Sequence, residues 1–248
     1  MRKEFLSAAG SLLANAVKGK IGERQGSIES RIVEIDSDEY NYQIYVPADV
    51  QTKQRLPVII FLHGIGQRGS GGFVPTSGAG GVIARHYFGQ VPAIVLLPQC
   101  RQGSYWSDAI MDKMVMRALA QTLEEFGADE NRVYLTGVSM GGYGVWHFAA
   151  AYPNKFAALV SICGGSSFTK GDRFSPLAEK VGKTPAWLFH GADDKVVAVG
   201  ESRQIVAALK ANEGNVKYNE YAGVGHNVWM NAATEKDLMS WLLEQHLG

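Results

Sequence analysis

Three kinds of residue, far apart in this 248-residue chain, could together cleave an acyl bond. Ser139 is the centre of Gly137-Val138-Ser139-Met140-Gly141, a G-x-S-x-G pattern. A serine hydroxyl is a weak nucleophile until a base takes its proton. The base in turn needs an acid to fix its tautomer and steady its positive charge. That order is present: His190-Gly191-Ala192-Asp193-Asp194 offers two candidate acids, and Gly225-His226 a candidate base. The pentapeptide alone carries little weight in a chain with 29 glycines, and needs the right structural frame.

The frame is legible. Val133 to Thr136 is a β-branched and aromatic run, the composition of a buried strand. Tyr143 to Tyr152 reads as a helix that packs Val145, Trp146, Phe148 and Ala149. A serine on so tight a strand-to-helix turn is forced out above the sheet edge, and a Cβ at position 137 or 141 would crowd the turn. The N–H groups that open the helix face incoming negative charge.

The other elements follow from the same periodicities. Strands are expected at 27–35 and 40–46 (a starting hairpin), then at 58–62, 94–97, 157–162, 186–189 and 216–221. Helices are expected at 82–88, 109–126, 201–211 and 232–246, and an irregular insert with Pro176 at 164–183. Strands alternating with helices predict a mostly parallel sheet covered on both faces, with ligands bound outside the carboxyl ends of the strands. An acid after strand 186–189 and a histidine after strand 216–221 would both reach Ser139 from that edge.

Composition narrows the partners. Hydrophobic residues make up 46% and charged residues 19%, and 24 Lys plus Arg balance 24 Asp plus Glu. No global field favours nucleic acid or an anionic membrane. No apolar run approaches the roughly 20 residues that span a bilayer. Residues 5–17 place Phe5, Ala9, Leu12 and Ala16 on one helical face, which predicts an amphipathic helix within residues 1–25 docked on a single domain of residues 26–248. Met1-Arg2-Lys3 and Ala14-Asn15-Ala16 also resemble parts of an export signal. Glu4, Ser7, Gly10, Ser11 and Asn15 interrupt the apolar region such a signal needs, so the expected compartment is the cytoplasm.

His63-Gly64, the Ser139 turn, His190-Gly191-x-x-Asp194 and Gly225-His226 together resemble the α/β-hydrolase fold. Within it the chain is similar to the esterase group spanning dienelactone hydrolases, feruloyl-type esterases and peptidase-like esterases. The matching motifs run from about residue 58 to the C-terminus. The resemblance implies an eight-stranded sheet without a large cap, Ser139 as nucleophile, Asp194 as acid and His226 as base. It also implies an oxyanion hole from the backbone N–H groups of Met140 and Ile65, and a small-molecule ester as substrate with no metal or organic cofactor. Asp193 competes with Asp194, and the family spacing from Gly191 favours Asp194. A short-chain or aryl carboxylesterase is the leading reading. A peptidase or acyl-peptide hydrolase would use the same side chains, and a binding protein on an inactive scaffold is the rival from another class.

The remaining motifs divide into two readings each. Gly64-Ile65-Gly66-Gln67-Arg68-Gly69 matches G-x-G-x-x-G after a strand, but Pro75 and further glycines follow where a helix should begin. No Asp or Glu occurs from Val50 to Ser107 either, so a dinucleotide site is rejected. In that acid-free stretch Arg68 and Arg101 either make a positive mouth that binds anionic substrates or pair with backbone carbonyls and distant carboxylates. Tyr105 and Trp106 either wall an aryl or sugar pocket or cover the sheet end. His63 and His190, at strand ends before glycine, are expected to brace loops, while His147 and His246 fall within expected helices. Cys100 and Cys163 end strands that are not neighbours in the family's order, so no disulfide is expected between them.

Overall fold

The computed structural model describes residues 26–48, 55–71, 81, 92–166 and 171–248. The expected N-terminal helix, residues 72–80, and the expected helix at 82–88, which includes His86, lie outside the described residues. The strands are β1 (Ser27–Ile35), β2 (Asp38–Val46), β3 (Val58–Leu62), β4 (Ile94–Pro98), β5 (Val133–Val138), β6 (Ala158–Ile162), β7 (Ala186–Gly191) and β8 (Val216–Tyr221). They form one eight-stranded sheet in the order β1-β2-β4-β3-β5-β6-β7-β8. The β1–β2 and β2–β4 pairs are antiparallel and the others parallel. The opening hairpin closes as expected, over Asp36 (φ 51°) and Ser37 (φ 73°), the left-handed pair that matches strand twist.

Unbroken apolar strands are what a sheet covered on both faces requires. In β3, Val58, Ile60 and Leu62 join a core layer with Met111, Met114, Val145 and Phe148. Ile59 and Phe61 point the other way, into a layer with Phe189, Trp241 and Leu242. The first layer is built by α1 (Ala109–Phe126), α2 (Met140–Ala151), α3 (Phe174–Val181) and α4 (Gly200–Ala211). The second is closed by α5 (Trp229–Ala233) and α6 (Leu238–Glu244). Among the described residues no helix is long and apolar enough to cross a membrane.

Two expectations need correction. The insert is not irregular throughout, because α3 occupies Phe174–Val181. Pro176 sits in its first turn, where a proline removes no intrahelical hydrogen bond, and the Asp172 carboxylate accepts the N–H groups of Phe174 and Ser175. The closing helix is two helices, α5 and α6. They part after Thr234, whose hydroxyl turns back to the carbonyls of Met230 and Asn231 and so competes with continued helix.

The turn between β5 and α2 sets the whole site. Ser139 has φ 55° and ψ −116°, a conformation L-residues hold only when their surroundings force it. The force is close packing. A Cβ on Gly141 would lie 1.9 Å from the Leu62 carbonyl oxygen, and one on Gly137 2.3 Å from that of Gly141. Gly141→Ala should therefore lower stability by on the order of 3 kcal/mol or more. Gly66→Ala, at an exposed position with open space around its Cβ, should shift it by less than about 1 kcal/mol. Urea unfolding of both variants checks this, and equal losses would overturn the packing account.

Candidate active site

Three strand ends deliver the three side chains. Ser139 follows β5, Asp194 follows β7 and His226 follows β8, so parallel strands bring their loops to one edge. The Ser139 hydroxyl donates to His226 Nε2 at 2.9 Å. His226 Nδ1–H donates to Asp194 Oδ2 at 2.7 Å. Asp193 is exposed whereas Asp194 is buried, so the carboxylate that meets the imidazole is that of Asp194. Its other oxygen, Oδ1, accepts the N–H groups of Val196 (2.8 Å) and Val197 (2.9 Å). Burial by itself would raise the Asp194 carboxyl. Hydrogen bonds from His226, Val197 and Val196 outweigh it and hold the group below the ordinary carboxylate value.

Met140 and Ile65 open helical turns, α2 and the short 3₁₀ turn Ile65–Gln67, where the first N–H groups have no intrahelical acceptor. Both residues line one cavity with Ser139. A Cβ on Gly64 would come 3.6 Å from that of Ser139, so the Ile65 loop runs directly beside the serine.

That cavity has a volume of about 720 Å³. Tyr105 and Trp106 form one wall. Trp106 is also a structural brace, its indole N–H donating to the His63 carbonyl at 3.0 Å. The cavity continues between α2 and α3, past Tyr143 and His147 on one side and Pro176 and Leu177 on the other. Sequence reasoning passed over these four. The signal was available as spacing: Met140, Tyr143 and His147 share a face of α2, and the Asp172 cap precedes apolar Phe174, Leu177, Ala178 and Val181 at helical intervals.

Arg68 and Arg101 do not line the cavity. Arg101 pairs with Asp38 (3.1 Å), donates to the Glu39 carbonyl (2.8 Å) and lies over the Tyr40 ring. Arg68 donates to the Ser104 carbonyl (3.2 Å) and lies beside Tyr105. Both therefore follow the pairing alternative: Arg101 ties the β4 loop to the opening hairpin, and Arg68 ties the β3 loop to the β4 loop.

The other histidines are placed by their partners. His63 Nδ1–H donates to the Gly64 carbonyl (2.7 Å), and Nε2 accepts the Cys100 N–H (3.0 Å). This fixes a neutral ring that joins the β3 and β4 loops. His147 Nε2 pairs with Asp112 on α1, which also accepts the Tyr152 hydroxyl. His246 lies past α6 and is exposed. Cys100 and Cys163 are free and buried, with β3 and β5 between their strands.

A family described as phospholipase/carboxylesterase matches residues 106–236, more than half of the chain. The chain belongs to that family. It is 26% identical to the carboxylesterase SOBER1 of Arabidopsis thaliana over 136 residues. That match covers 55% of this chain and 58% of SOBER1. It is 24% identical over 253 residues to poly(3-hydroxyalkanoate) depolymerase C of Paucimonas lemoignei, covering 90% of this chain and again 58% of the relative. The chain thus spans little more than half the length of these two curated relatives. Among solved structures, a thermostable esterase superposes with a TM-score of 0.78 at 34% identity, covering 88% of this chain and 63% of that one. The fold is that of the α/β-hydrolases.

His63 makes the site's scaffold sensitive to acid. Burial pushes its pKa down to about 4, below the roughly 6.5 of an unfolded histidine. Between those values the unfolded chain binds the extra proton, so stability is full above about pH 6.5 and falls as pH drops toward 4. The linked loss is roughly 3 kcal/mol. Urea unfolding from pH 7.5 to 4.5 should show it, with a shallower decline in His63→Gln; parallel declines would assign the loss elsewhere.

Proposed function

We propose that this chain is a serine carboxylesterase acting on short-chain or aryl carboxylic esters through an acyl-enzyme. The observation that carries the reading is the unbroken line from the Ser139 hydroxyl through His226 to the buried Asp194 carboxylate, at 2.9 and 2.7 Å. His226 Nε2 takes the hydroxyl proton as Ser139 Oγ adds to the ester carbonyl carbon. The imidazolium is balanced by Asp194 and then passes that proton to the departing alkoxide. Water, activated by the same nitrogen, adds to the acyl-enzyme and releases the acid, and the proton returns to Ser139.

The N–H groups of Met140 and Ile65 receive the oxyanion in both addition steps, an effect each donor makes worth on the order of 10²–10³ in rate. Tyr105, Trp106, Tyr143 and Leu177 give the ester an apolar cavity, which suits an aryl or short alkyl group. The roles assigned here use no metal or organic cofactor.

A fluorophosphonate probe should label one residue per chain, Ser139, and Ser139→Ala should abolish labelling. The same variant, and His226→Ala, should lower kcat for a p-nitrophenyl ester by about 10⁴–10⁶. Turnover of the matching anilide at a rate comparable to the ester would favour the peptidase alternative. Absence of both labelling and ester turnover in the parent protein would overturn the reading.

A further inference from the structure

Among the described residues, His190 is the one fully buried histidine beside the acid of the site. It ends β7 one residue before its last, and its partner across the sheet on β8 is Glu220. Its side chain is wholly buried, as is that of Asp194. Nε2 lies 3.0 Å from the Val197 carbonyl oxygen and 3.3 Å from Asp194 Oδ2. Both are acceptors, so Nε2 carries the proton. In a neutral ring Nδ1 must then accept, and it does so from the Ser202 hydroxyl on α4 at 2.7 Å. The ring is thereby locked in one tautomer from two sides.

The consequence lies at Asp194. Its Oδ2 is approached by two imidazoles, His226 at 2.7 Å and His190 at 3.3 Å. The two N–H groups of Val196 and Val197 hold only Oδ1. Rotation of the carboxylate about its Cβ–Cγ bond is opposed at Oδ2 by His190, from a nitrogen other than the one the proposed reaction uses. Val197 is tied in the same way: its N–H serves Asp194 and its carbonyl serves His190. Asp194, Val197 and His190 thus close a circuit around the acid, and Ser202 anchors the His190 ring on α4.

We propose that His190, with its ring anchored on α4 by Ser202, is a positioning residue that fixes the Asp194 carboxylate and moderates the charge it presents to His226. The proposal rests on the esterase reading for its kinetic consequences. It does not rest on that reading for its structural ones. The Nε2–H of His190, donated to the Val197 carbonyl, also lies 3.3 Å from Oδ2, and its positive end offsets part of the charge that would otherwise stabilise the His226 imidazolium. Loss of that donor lets the carboxylate rotate, so kcat falls. It also leaves the imidazolium better stabilised whenever the two groups do meet, so the acid limb of the pH profile moves upward.

Other groups facing this cluster stay constant across the comparison. They are Cys163 after β6, Tyr143 on α2, Glu201 beside Ser202 on α4, and Glu220 on β8. Tyr143 and Cys163 sense the Asp194 charge through their raised pKa values, for which burial is the main cause. His190 itself is held below the ordinary histidine value by burial, in keeping with a neutral ring.

The test uses the full chain and four variants. His190→Leu should lower kcat for a p-nitrophenyl ester about tenfold or more with KM changed less than threefold. It should also shift the acid limb of kcat/KM upward by a few tenths of a pH unit. His190→Gln, whose amide can still donate from the position of Nε2, should recover most of both. Ser202→Ala removes the anchor at Nδ1 and should move both quantities in the same directions by less, and Ser202→Thr should restore them. Should His190→Leu fail to fold, the two Ser202 variants carry the test.

A direct readout is independent of turnover: the proton NMR resonance of the His226 Nδ1–H, which reports its bond to Asp194. It should shift in His190→Leu and Ser202→Ala and return in His190→Gln and Ser202→Thr. An acid limb and an Nδ1–H resonance both unmoved in the Leu and Ala variants would overturn the proposal, whatever happened to kcat. So would a Gln variant no better than Leu. A parent protein that turns over no ester yet shows the expected resonance shifts would sink the esterase reading and leave this one standing.

Discussion

The structure depends on how closely one turn is allowed to approach one strand. Gly141 lies so near the end of β3 that its missing Cβ would sit 1.9 Å from the Leu62 carbonyl oxygen. That approach forces Ser139 into a strained conformation and lifts its hydroxyl clear of the sheet. It also starts α2 at the next residue, with its opening N–H groups at the site. The strain is held by the most buried part of the molecule, because β3 and β5 are central strands whose side chains face two apolar layers. A loosely packed centre would let the turn relax and the serine sink back.

Around that fixed point the site is a set of loops that hold one another. His63 links the loops after β3 and β4, Trp106 donates back to His63, and Arg68 and Arg101 pin the same loops from outside. On the far side, the loop after β7 wraps the Asp194 carboxylate in its own N–H groups. The loop after β8 needs only to hold one imidazole between a buried anion and a hydroxyl. His63 and His190, kept neutral by burial, do the bracing, whereas His226, which faces the serine hydroxyl, is partly exposed. That division follows from burial, which disfavours charge on a ring shut away from water and, at His190, outweighs the nearby Asp194 carboxylate.

Much of this was legible in the residues. The eight strands, the long α1 and the serine turn all announce themselves through local signals: alternation, apolar runs, and glycines where a Cβ cannot fit. The same motifs, taken as a resemblance, pointed to Asp194 over Asp193 through its spacing from Gly191. What failed was local as well. The insert at 164–183, expected to be irregular, holds α3 with Pro176 in its first turn behind the Asp172 carboxylate, and the one expected closing helix is divided in two at Thr234.

By itself, then, the order of residues determined the alternation of strand and helix, the place of the strained serine, and the class of chemistry its partners could perform. Those properties depend on neighbours within a turn or two. Only the tertiary structure decided which carboxylate the imidazole meets, that Arg101 is occupied by Asp38 rather than offered to a ligand, and that His190 stands behind the acid. The first two are contacts between segments more than thirty residues apart, and the third, over only four residues, depends on how the loop after β7 is folded against α4. Their geometry is set by strand order and by the packing of whole layers, and no local periodicity encodes it.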